Sequence, residues 1–142
     1  LRQARINVTV FDEPEGSDTP DALFPNNWIS MHHDRRVALY PMFAENRRRE
    51  RREEVLDLLE EQGFEIEEVI DYSRAEEEGL YLEGTGSMVL DHENRMAYCA
   101  LSERADEDLF IEFCEDFEYT PFTFSAYQTV NGKRLKIYHT PM

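Results

Sequence analysis

Apolar and polar positions fall into two similar stretches along this chain. Residues 28–31 and 37–42 alternate as strands do and are joined by the polar turn His32-His33-Asp34-Arg35. Residues 46–62 then predict a helix, because Val55, Leu58 and Leu59 recur at i, i+3 and i+4 and make one apolar face. Gly63 suits its C-terminal stop, and residues 64–72 predict a further strand. The same order returns as a hairpin over 87–90 and 96–101, turning at Asp91-His92-Glu93-Asn94. A helix over 105–118 follows, with Phe110, Phe113, Cys114 and Phe117 on its apolar face, and then a strand over 120–127.

An offset of 59 carries Met31 to Leu90, Arg36 to Arg95, Ala38 to Ala97, Val55 to Cys114 and Leu58 to Phe117. Identity between the stretches is low, so the expectation is a structural repeat of the form strand-strand-helix-strand. Complete units are expected over 24–72 and 83–127. Ile6, Val8 and Val10 alternate within 1–12 as the closing strand of a preceding unit would, and 133–142 reads as the start of a following one. On that reading the chain is an internal portion of a polypeptide about twice its length, completed by the remaining repeats of the domain or by pairing between copies.

Hydrophobic residues make up 41% of the 142 residues and aromatics 12%, which supports a packed core. The formal charge of −16, from 31 acidic and 15 basic residues, opposes binding to nucleic acid or to anionic membranes. No apolar run approaches the ~18 residues of a membrane span. The two cysteines do not make a disulfide framework, and a reducing, cytoplasmic setting suits them. Cys114 falls on the apolar helix face and Cys99 within a strand, so both are expected to be structural. The histidine-bearing turns lack ligand spacing, and no metal is expected. The arginine-rich run from Arg47 to Arg52 is interleaved with acids, and Glu45 with Arg49 makes an i, i+4 pair, so a solvated helix face is expected, with Arg47 and Arg48 near enough to support a site.

Chemistry-bearing residues recur at matching points. Phe24-Pro25-Asn26-Asn27 stands before the first hairpin, Glu83-Gly84-Thr85-Gly86 before the second and His139-Thr140 at the corresponding place in the third. If the units surround an axis, Asn27, Glu83 and His139 share one pocket. Glycine at 84 and 86 permits unusual dihedrals and close backbone approach to a ligand. These blocks, with Leu39-Tyr40-Pro41-Met42, Ala44-Glu45-Asn46-Arg47-Arg48 and Ile137-Tyr138-His139-Thr140, resemble in order and spacing the arginine deiminase and amidinotransferase superfamily. Within it they are most similar to the citrulline-utilisation hydrolase-like branch. The likeness runs from about Val8 onward.

The resemblance implies an α/β (α+β) pentein fold, a propeller of five such units with the site at the axis. It implies a cofactor-free attack by cysteine on the carbon of a guanidino or ureido substrate, related to arginine or citrulline. Glu83 would grip the planar cation through charge-assisted hydrogen bonds, His139 would move protons, and Asn27 with Asn26 would bind substrate. The sequence departs from the family pattern at three places: Asn27, where relatives often carry aspartate; Gly86, where many carry an acid; and Pro141, where aspartate or asparagine is usual. The nucleophilic cysteine of relatives lies in a later unit, beyond this chain. The alternative is a non-catalytic binding protein on the same architecture, because penteins also include ribosome-associated factors.

Overall fold

Both expected hairpins form, and each is extended by one parallel strand. The computed structural model describes Gln3, Ile6 and residues 8–137. Strands β1 (Ile29–Met31) and β2 (Arg36–Leu39) pair antiparallel, and β3 (Glu68–Asp71) lies parallel to β2. A parallel partner requires a crossover, and here it contains helix α1 (Glu53–Glu61). After a helical turn, α2 (Gly84–Ser87), the pattern repeats. Strands β4 (Met88–Asp91) and β5 (Met96–Ala100) are antiparallel, α3 (Glu107–Asp116) crosses over, and β6 (Thr120–Phe124) joins parallel to β5. Arg35 (φ 64°) and Arg95 (φ 55°) take the left-handed conformation at the same place in the two hairpin turns.

The 59-residue offset holds for β1 onto β4 but is lost beyond the turns. Strand β5 begins sixty residues after β2, and α3 begins about one helical turn early relative to α1. Val55 and Cys114 are therefore not equivalent helix positions. The face of α3 is buried as expected, with Phe110 and Phe113 fully enclosed and Cys114 and Phe117 nearly so. Its Asp106 cap accepts from the Leu109 N–H at 3.1 Å. The α1 face is less fully buried: Val55, Leu58 and Leu59 all stay partly exposed. The reason is placement. Helix α3 lies between its own sheet and the first unit, packing Phe113 against Tyr40 and Tyr72 and Phe117 against His32. Among the described residues α1 has no such second layer.

Other expectations change in detail. The helix expected over 46–62 is interrupted. Arg47–Glu50 form a 3-10 turn, Arg51 and Arg52 are extended, and only then does α1 begin. A 3-10 segment, Ser73–Glu78, fills what reads as a connection, and Gly79 closes it at φ 75°. The closing strand expected within 1–12 forms no ladder among its described residues. The region after β6 holds an unanticipated hairpin, β7 (Tyr127–Val130) with β8 (Lys133–Lys136), turning at Asn131 and Gly132, both at positive φ.

Candidate functional site

The two turns that precede the hairpins meet each other. Pro25–Asn27 form a 3-10 turn leading into β1, and α2 leads into β4. Asn26 donates through Nδ2 to Thr85 Oγ1 at 3.2 Å, joining residues at equivalent points of the two units. The contact is close enough to require glycine. A Cβ on Gly84 would lie 2.4 Å from the Asn26 carbonyl oxygen, and Gly84 also sits at φ +40°. A Cβ on Gly86 would lie 2.8 Å from Asn27 Oδ1. The two glycines, expected to admit a ligand, thus admit the neighbouring turn and bring Asn27 against Gly86.

Glu83, immediately before α2, is completely buried, and Asn27 nearly so. Two strips of chain hold Glu83 in place. Its backbone N–H donates to the Arg104 carbonyl at 3.2 Å, and its Oε1 accepts from the Phe43 N–H at 3.1 Å. The Arg104 guanidinium approaches Oε2 at 3.5 Å and lies over the Phe43 ring. Phe43, partly exposed, meets Tyr81 edge-on at 5.2 Å between ring centres. The structure therefore brings Asn26, Asn27 and Glu83 to one end of the paired units. His139, the remaining expected member, lies outside the described residues.

The arginine run is not the solvated face its composition suggests. Arg47 and Glu50 are buried and bonded through two contacts, Nε to Oε1 at 3.0 Å and Nη2 to Oε2 at 2.9 Å. Arg51 makes a similar fork to Glu76 at 2.6 and 2.9 Å, and Glu76 also accepts from the Met42 N–H at 2.7 Å. Arg48 donates to the Met42 carbonyl at 3.0 Å. Arg49 is exposed, and the break in the helix removes the i, i+4 geometry assumed for Glu45. Arg47 lies near the cluster as the sequence suggests, whereas Arg104, Phe43 and the partner Glu50 carry no sequence signal, because only tertiary folding brings them there. Burial alone shows nothing of their chemistry in a chain so rich in charge.

Neither cysteine is placed for nucleophilic work. Burial pushes the Cys99 thiol up to about 12, with Cys114 and Glu107 adding to the effect, and burial raises Cys114 to about 12 as well. Among the described residues no group of three or more His, Cys, Asp or Glu is placed to hold a metal ion. No helix there is long and apolar enough to cross a membrane. A depression of about 280 Å³, lined by His33, Arg35, Phe64 and Glu65 among others, lies at the opposite end of the first hairpin and shares no residue with the cluster.

Solved structures share this fold. The N-terminal domain of ArgZ, an arginine dihydrolase from the ornithine-ammonia cycle in cyanobacteria, solved with substrate bound, aligns with TM-score 0.54 and 21% identity over 73% of this chain and 35% of its own. The same domain with bound product aligns with TM-score 0.55 and 20% identity over 84% of this chain and 38% of its own. Apo ArgZ gives TM-score 0.56 and 21% identity over 78% of this chain and 16% of its own. The chain thus spans little more than a third of the ArgZ domain's length. No curated protein matches it at a significant level. The repeated α/β units are those of the pentein fold, and the chain falls in the class of guanidino-group-modifying proteins. Within that class the chain belongs to the eukaryotic N,N-dimethylarginine dimethylhydrolase family, whose description matches residues 1–142.

Proposed function

We propose that this chain forms part of a hydrolase that cleaves a C–N bond of an arginine-like guanidino or ureido substrate. Glu83 supplies the negative charge that holds the planar cation, Asn27 and Asn26 bind its N–H edge, and His139 moves protons. A cysteine outside residues 1–142 supplies the thiolate, a reading supported by the inert environments of Cys99 and Cys114. The thiolate adds to the guanidino carbon, the C–N bond breaks, and the amine leaves with a proton from His139. Water then adds to the same carbon, gives one proton to His139 and the other to the departed amine, and displaces the thiolate; a guanidino substrate leaves a ureido product and a ureido substrate a carbamate. No metal or cofactor enters the scheme. The other repeats of the domain, or further copies of the chain, complete the pocket, and a cytoplasmic location keeps the thiols reduced.

The observation that carries this reading is the buried Glu83 carboxylate approached by a guanidinium. Arg104 stands 3.5 Å from Oε2, too far for a strong bond, so the carboxylate retains capacity for a cation of the same shape. The test is Glu83→Gln in the full-length polypeptide carrying this chain, assayed for hydrolysis of N,N-dimethylarginine, arginine and citrulline. Loss of a charged hydrogen bond lowers kcat/KM roughly 10- to 100-fold. A folded Glu83→Gln protein with undiminished turnover would refute the assignment.

A further inference from the structure

We propose that the buried Arg47–Glu50 pair is a positioning device for the Asn26–Asn27 turn, an inference that rests on the reading of that turn as part of the guanidino site. Arg47 is 5% exposed and Glu50 2%. After its two bonds to Glu50, the Arg47 guanidinium also reaches the carbonyls of Asp21 and Phe24, both from Nη2 at 3.4 Å. The Phe24 carbonyl is also the acceptor for the Asn27 N–H at 3.2 Å. One guanidinium thereby touches the chain at both ends of the segment leading into Pro25–Asn27, while Glu50 fixes the guanidinium's plane. The Asn26–Thr85 bond holds the turn from its other side.

Stability alone does not account for such a pair. Removing two charges from water consumes most of what their attraction returns, and well-packed apolar replacements are often as stable or more so. What the pair adds is direction, because a planar fork bonded to a carboxylate points the second N–H of Nη2, shared by the Asp21 and Phe24 carbonyls, along a fixed line. Burial works against the ionised form of Arg47, but the bond to Glu50, with Glu83 and Asp21 nearby, keeps its pKa above the ordinary value.

The test compares Arg47→Met/Glu50→Leu, which removes the pair without stranding a charge, and Arg47→Lys with the parent, all in the full-length polypeptide. Hydrogen exchange reports the turn without any ligand. The Asn27 amide is expected to exchange at least tenfold faster in the double variant while the Ala38 and Cys99 amides keep their protection. Arg47→Lys should restore part of that protection. Titration with N,N-dimethylarginine and with arginine should show a Kd raised at least tenfold in the double variant. Unchanged exchange at Asn27, or an equal rise throughout the core, would overturn the proposal. If exchange responds as expected but the parent binds neither compound, the functional reading fails and the positioning of the turn stands.

Discussion

Protonation of His32 is expected to destabilise the fold by about 3 kcal/mol at pH 4. His32 is only 8% exposed, stacks at 4.0 Å between ring centres on Phe117, and its Nε2 bonds Ser30 Oγ at 2.9 Å. Ser30 in turn bonds the buried Tyr40 hydroxyl at 2.6 Å. Burial, only partly opposed by Asp34 and reinforced by His92, Arg36 and Arg95, pushes the His32 pKa from 6.5 to about 4. A base with a depressed folded pKa binds its proton more readily in the unfolded chain. Its contribution is therefore complete above about pH 6.5, falls through the window down to 4, and levels off below it. At ~1.4 kcal/mol per pKa unit the loss approaches 3 kcal/mol, a large share of the 5–15 kcal/mol typical of a domain. Carboxylates titrate in the same range, so the measurement is a difference: urea unfolding of the parent and of His32→Phe between pH 7.5 and 4. At neutral pH the variant should be about 1 kcal/mol less stable, through loss of the Ser30 bond. At pH 4 the order should reverse by about 2 kcal/mol. Parallel pH profiles, agreeing within about 0.5 kcal/mol after a constant offset, would refute the reasoning.

Three further outcomes are expected. Gly86→Ala should destabilise by about 1–3 kcal/mol in thermal melts, because its Cβ would stand 2.8 Å from Asn27 Oδ1, and Gly84→Ala should be worse, with the Asn26 carbonyl at 2.4 Å and φ at +40°; melting unchanged from the parent in either would show that the turns are not in close contact. Phe113→Ala, at the junction of both units, should lose about 3–5 kcal/mol by urea unfolding, and a loss below 1 would mean that the units do not share this core. Neither Cys99 nor Cys114 should react with iodoacetamide at pH 8 in the native protein while both react in urea, so prompt alkylation of the native chain would contradict their burial.

The alternation before and after His32-His33-Asp34-Arg35 determined the first hairpin locally, and the same held for the second, because a period-two pattern with one apolar face admits few other arrangements. The α3 face was equally legible in Phe110, Phe113, Cys114 and Phe117. One local signal was available but unused: Asn131-Gly132 is the dipeptide that adopts two successive positive φ angles most easily, and it turns the β7–β8 hairpin. The Arg47–Arg52 run could not be read the same way. Its helical propensity is high, yet Glu50 draws Arg47 into a buried pair, Glu76 draws Arg51 into a part-buried one, and the helix breaks before Glu53. Likewise, motif spacing alone placed the turns that carry Asn26, Asn27 and Glu83 at equivalent points of two units. Their meeting depends on α2 packing against the preceding turn, with Gly84 and Gly86 leaving the necessary space. Periodicity is a property of neighbouring residues and survives in one dimension. The company kept by Glu83, with Phe43 forty positions before it and Arg104 after it, exists only once the sheets have closed on α3.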